Sequence, residues 1–193
     1  MKEQIISELQ ASAQVKLQLA ESGTDKIMEI VDLLVSTLGR GGKVLLCGNG
    51  GSAADAQHLA AELLGKFKME RKALPAISLT VNTSALTAIA NDYAYDDVFS
   101  RLVEALGVEG DILLGISTSG KSKNVVRAME AAHDKGMKTV AFVGRTPGTV
   151  GENADICLCI PSDDTPRVQE SHITAGHIIC GLVERRLFGE SQK

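Results

Sequence analysis

Five short apolar runs recur along the 193-residue chain: "KVLLCG" (43–48), "PAISL" (75–79), "DILLGI" (111–116), "TVAFVG" (139–144) and "DICLCI" (155–160). Helical patterns separate them. A run with so few polar positions has no face to give to water, so each reads as a strand covered on both sides. Buried strands joined through helices pair in parallel, with right-handed crossovers. The expected fold is a three-layer α/β sandwich around a five-stranded, parallel, doubly wound sheet.

The flanks are helical. From about residue 3 to 38 apolar residues recur at helical spacing, most clearly Ile27, Ile30, Val31, Leu34 and Leu38, with the polar break "ESGTDK" separating two helices. "GRGG" at 39–42 is the stop signal before the first strand. A last helix, from about 166 to 188, carries Val168, Ile178, Ile179, Leu182 and Val183. The chain reads as one domain, 1–193, with N-terminal helices over 1–40 and the α/β core over 41–193. Those first helices lie outside the repeating unit and have apolar faces of their own, which predicts an oligomer interface.

Composition excludes several function classes. A net charge of −4, no run of five like charges and only 3% aromatic residues leave neither a basic footprint nor stacking platforms for nucleic acid. No apolar stretch approaches the roughly 20 residues that span a bilayer, and "MKEQIISELQ" is too polar for a signal peptide, so no membrane partner is expected and the location is read as cytoplasmic. Cys47, Cys157, Cys159 and Cys180 lack CxxC spacing. The first three stand in strand-like runs and are read as small buried hydrophobes, which suits a reducing compartment.

Ligands of open α/β sheets bind beyond the carboxyl ends of the strands. Two such junctions are unusual here. In "CGNGGSAADAQH", Gly48, Gly50 and Gly51 permit close backbone approach while Asn49 and Ser52 offer polar contacts. In "STSGKS", Ser117, Thr118, Ser119 and Ser122 gather four hydroxyls where a helix begins. A helix needs one such residue as its cap, so the other hydroxyls, with the helix N–H groups, read as a cage for a phosphate. "GRGGKV" lacks the P-loop's hydroxyl after lysine and precedes a strand. "GNGGSA" has Ser52 and Ala53 where the dinucleotide fingerprint has its third glycine. No nucleotide cofactor is expected; a monophosphate on a small polyol fits better.

His58 and Glu62 are four residues apart and share a helix face. On the last helix Gln169 and His177 are eight apart and share a broad face, with His172 between them. Whether the two helices meet within one chain or across an interface is open from spacing, and for each histidine alone a core or surface role is the plainer reading.

"CGNGGSAADAQHLAAELLGKF", "AIANDYAYDDVFSRLVEALGVEGDILLGISTSGKS" and "RVQESHITAGHI" together resemble the sugar isomerase (SIS) domain family, and within it the phosphoheptose isomerases, over nearly the whole chain. The resemblance implies a flavodoxin-like or Rossmann-like SIS fold and an aldose–ketose isomerase that interconverts sedoheptulose 7-phosphate and D-glycero-D-manno-heptose 7-phosphate, the entry to ADP-heptose for lipopolysaccharide and other surface glycans. It implies a homotetramer with active sites at subunit interfaces and one zinc per subunit. By motif, Asn49, Gly50, Gly51, Ser52, Glu62, Asn91, Asp92, Ser117, Thr118, Ser119, Ser122 and Gln169 would bind substrate. His58, Glu62, Gln169 and His177 would hold the metal, with Glu62 and His177 also the acid/base pair.

The chemistry has its own logic. Moving a carbonyl between neighbouring carbons needs a base at carbon, an acid at oxygen and stabilisation of the enediolate between them. Glu62 suits the first task if burial raises its pKa, and His177 suits the second. A carboxylate on zinc is a weaker base, however, and glutamine is a rare zinc ligand. The family's "GRY"-like segment is "GKF" here, so any phosphate contact from this position falls to Lys66, which keeps the charge and loses the bidentate fork. Two alternatives share the fold: a non-catalytic adaptor that binds the DnaA replication initiator, which would not need the acid/base pair, and an isomerase of another phosphosugar.

Overall fold

The five apolar runs form the parallel strands β1 (Val44–Gly48), β2 (Ala76–Ser78), β3 (Ile112–Ser117), β4 (Lys138–Val143) and β5 (Ile156–Cys159), in the order β2-β1-β3-β4-β5. Register is continuous through the middle of the sheet, with Val44 beside Ile112 and Ile112 beside Lys138. The computed structural model describes residues 1–189. Its helices are α1 (Lys2–Ser22), α2 (Thr24–Gly39), α3 (Gly51–Leu64), α4 (Thr83–Asp92), α5 (Val98–Leu106), α6 (Lys123–Asp134), α7 (Gly148–Glu152) and α8 (Thr165–Phe188). A 3₁₀ turn, Tyr95–Asp97, precedes α5. No helix among the described residues is long and apolar enough to cross a membrane.

Successive strand side chains point to opposite faces, and the sheet divides its apolar residues accordingly. Val44, Leu46, Leu114, Ile116 and Phe142 join one core with residues of α2, α3 and α8. Leu45, Cys47, Leu113, Ala141 and Val143 join the other with residues of α5 and α6. Helices on both faces therefore explain why the strands read as unbroken apolar runs. The exception is β5, where three of four residues are only half-buried, because it is an edge strand. Cys157 and Cys159 are thus not the fully buried hydrophobes expected from their run, whereas Cys47 and Cys180 are buried; all four are free thiols.

α2 buries the five residues that its spacing singled out. α1 behaves differently: of its 21 residues, Leu19 is the one fully buried.

Candidate active site

β1 and β3 are neighbours, and the chain leaves them in opposite directions, to β2 on one side and β4 on the other. This is the switch point at which open α/β sheets leave a crevice beyond their strand ends. The two unusual loops follow these two strands. In the first, the backbone at Gly50 takes φ +55°, a left-handed conformation that favours glycine. Asn49 straps the loops together: its amide exchanges two 2.9 Å hydrogen bonds with Asn124 of α6, and Tyr95 Oη donates to Asn49 Oδ1 at 3.0 Å. Ser52 is buried in the first turn of α3.

In the second loop the expected division of labour, one hydroxyl capping the helix and three free, is not what forms. Ser122 occupies the cap position of α6 but makes no side-chain cap bond. Its Oγ pairs instead with Ser117 Oγ at 2.9 Å, while Ser119 Oγ accepts from Lys121 N at 3.2 Å. The first amides of α6 therefore lack a side-chain cap, and the helix dipole adds to their attraction for an anion. Gly120 has φ +65°, and a Cβ there would stand 2.5 Å from the Pro147 carbonyl oxygen, so the loop closes tightly against the start of α7.

α3 and α8 bring the proton-transfer candidates together within one chain. They run parallel: a Cβ on Gly51 would collide with the Gln169 amide, and one on Gly176 would stand 2.5 Å from Leu59 Cδ2. At this close approach His58 Nε2 lies 2.8 Å from His177 Nε2 and 3.1 Å from Glu62 Oε1. One donor atom from each of the three lies within 4.8 Å of the others. Such a set is compatible with a metal ion. The Glu62 side chain is 22% exposed and that of His58 48%, so the cluster opens to solvent on its α3 side.

The Gln169 amide lies against Gly51 at the first loop. Asn91 and Asp92 end α4, exposed, with Asn91 Nδ2 donating to Asp92 Oδ1 at 2.8 Å. Lys66 is engaged on the surface with Glu70 at 2.6 Å.

Four features escape sequence reasoning. Phe67 stacks on the His177 ring, with centroids 5.6 Å apart and planes inclined by 23°. Asp55, one turn before His58 on α3, has a buried Oδ2 without a hydrogen-bond partner among the described residues; burial pushes its carboxyl up to about 6, against the pull of His58. His172 is wholly buried, its Nε2 3.0 Å from the Val143 carbonyl oxygen. Arg71 and Glu184 form an ion pair beneath the cluster. Two of them carried a sequence signal: Asp55 shares the helix face of His58 and Glu62, and His172 lies between Gln169 and His177, although sequence did not show its burial.

Comparison with known proteins follows the same outline. The family model described as the SIS domain matches residues 9–144. A phosphoheptose isomerase of Roseiflexus sp. (strain RS-1) is 55% identical over 186 residues, spanning 96% of this chain and 94% of the relative. One from Geotalea daltonii is 53% identical over 190 residues, 98% of this chain and 99% of the relative. Among solved structures, a phosphoheptose isomerase from Francisella tularensis superposes with a TM-score of 0.92 at 41% identity, covering 95% of this chain and 97% of that one. With the sheet order, the two strand-end loops and more than half of the residues matched by one family model, the chain belongs to the SIS domain family.

Proposed function

We propose that the chain is a phosphoheptose isomerase, interconverting sedoheptulose 7-phosphate and D-glycero-D-manno-heptose 7-phosphate. The observation that carries this reading is the convergence of Glu62 with His58 and His177, on helices that adjoin the hydroxyl-rich crevice. A non-catalytic adaptor has no use for such a pair.

The phosphate sits in the cage of Ser117, Thr118, Ser119 and Ser122 with the first amides of α6. Asn49, Gly50, Gly51 and Ser52 lie along the sugar, as do Gln169 and, from α4, Asn91 and Asp92. At the other end of the sugar Glu62 takes the proton from the carbon next to the carbonyl, and the C–H electron pair becomes the carbon–carbon double bond of an enediol. His177 gives a proton to the carbonyl oxygen. In the second half His177 takes a proton from the other hydroxyl, and Glu62 returns its proton to the former carbonyl carbon. No co-reactant is consumed.

His58, Glu62 and His177 offer two imidazole nitrogens and a carboxylate oxygen, a donor set that suits zinc, and would hold the ion. Zinc, when bound, would polarise the carbonyl and diol oxygens. Gln169, the fourth donor by resemblance, lies with its amide against Gly51 at the start of α3. We place the enzyme in the cytoplasm, as a homotetramer feeding ADP-heptose synthesis for surface glycans.

The test is turnover of sedoheptulose 7-phosphate against ribulose, arabinose and fructose phosphates, followed by NMR. The heptose phosphate should be preferred, and Glu62→Gln or His177→Gln should lower kcat by about 10²–10⁴-fold. Full activity in both variants would overturn the assignment.

A further inference from the structure

Seven residues beyond His177 on α8, on the same helix face, Glu184 is buried with Arg71, both side chains at 1% exposure. Glu184 Oε1 accepts from Phe67 N at 3.1 Å and Arg71 Nε at 3.0 Å, and Oε2 from Lys68 N at 2.8 Å and Met69 N at 3.0 Å. Burial pushes the carboxyl's pKa up, yet these amides and Arg71 hold it below the usual range. Arg71 donates onward from Nη2 to the Glu62 carbonyl at 2.8 Å, and from Nη1 to the carbonyls of Leu63 at 2.8 Å, Gly65 at 2.7 Å and Lys72 at 3.1 Å.

One ion pair thus reaches both helices of the cluster. Glu184 belongs to α8, which carries His177. The Arg71 guanidinium holds the last carbonyls of α3, where a cation also opposes the helix dipole, and the first of those carbonyls is that of Glu62. Between them the carboxylate gathers three successive amides, fixing the loop that presses Phe67 on His177. Stability alone is a poor explanation, because apolar side chains of similar volume often replace a buried ion pair without loss. What such side chains cannot supply is the planar fork that sets distances in several directions at once.

We infer that Glu184 and Arg71 are positioning residues: through loop 65–72 they hold Glu62 in register with His177 and seat Phe67 against the His177 imidazole. The catalytic part of this statement rests on the proposed isomerase reading; the geometric part does not.

Two readouts test it, kinetics on sedoheptulose 7-phosphate and the NMR shifts of the His177 ring protons, which sense the ring current of Phe67. Glu184→Gln keeps the shape but turns an amide NH₂ toward donors. It should lower kcat about 10–100-fold, leave KM within about threefold because the phosphate cage is untouched, and move the His177 signals. Arg71→Lys, which keeps the charge and loses the fork, should behave likewise. Phe67→Leu removes the stack but leaves the ion pair, and should move the same signals and lower kcat about tenfold.

Folded Glu184→Gln or Arg71→Lys with kcat within about twofold of wild type and unmoved His177 signals would overturn the inference. If neither ion-pair variant folds, Phe67→Leu decides: wild-type kcat in that variant overturns it. If wild type itself fails to turn over the heptose phosphate, the proposed function falls, and the His177 signals in Glu184→Gln still decide the positioning role.

Discussion

His172, between Gln169 and His177 on α8, has no exposed surface, and its Nδ1 has no hydrogen-bond partner among the described residues. Burial pushes its pKa down from 6.5 to about 4, partly offset by its contact with the Val143 carbonyl. The unfolded chain therefore takes up this proton first as the medium is acidified. Stability tied to His172 is whole above the unfolded value of 6.5 and drains away as pH falls toward about 4, by about 3 kcal/mol in full. Asp55 works the other way: its folded carboxyl, raised from 3.8 to about 6, binds the proton before the unfolded one and favours the fold in acid. The two act in opposite directions in wild type, so the informative quantity is a difference. His172→Leu leaves the Val143 carbonyl its bond from Ile160 N. The stability of wild type relative to this variant should fall by about 2–3 kcal/mol between pH 7 and 4.5 in urea titrations. A pH-independent gap would refute a neutral His172. Sequence could name this histidine but not separate it from His177, because burial is a property of the packed helix.

At the scale of elements, the strand-end loops were legible and the pairing of the helices was not. "STSGKS" announces its hydroxyls, and the switch from strand to helix places them at a helix start. The use of Ser122 as a partner for Ser117 instead of a cap depended on how β3 and α6 meet. Ser119, exposed and accepting a bond from the nearby Lys121 amide, offers a clean test of the cage. Ser119→Ala should change stability by less than about 0.5 kcal/mol while raising KM for the sugar phosphate about tenfold, the worth of one hydrogen bond to a charged group. Isomerase kinetics with unaltered KM would remove Ser119 from the phosphate site. The α3–α8 contact is longer in range: spacing put His58 beside Glu62, but Gly176 and Leu59 let α8 approach closely enough to add His177.

For the molecule as a whole, α1 is the unbalanced part. Ile5, Ile6, Leu9 and Leu17 are each more than half exposed along it, and Met28 and Ile178 continue the apolar surface onto α2 and α8. Residues of those three helices line a groove of about 210 Å³ that includes Leu19, Ile27, Met28, Ile178 and Leu182. A 21-residue helix with one buried side chain gains little from its own domain, so we expect the face to be covered by other copies. Sedimentation velocity should give a mass near four times the 20.4 kDa chain, and Leu9→Glu with Leu17→Glu should lower it. A wild-type monomer at micromolar concentration would sink the assembly and any active site shared across it. The sequence alone determined the strands, the helices and the two loops, because apolar runs, periodicity and hydroxyl or glycine clusters are local, and its resemblance to a known family pointed to the candidate acid/base residues. Tertiary structure decided which candidates meet: His177 with His58 and Glu62, Gln169 with the first loop, Arg71 with Glu184. Those meetings depend on how two helices 100 residues apart cross one sheet, and the free energy of that packing comes from contacts no local pattern encodes.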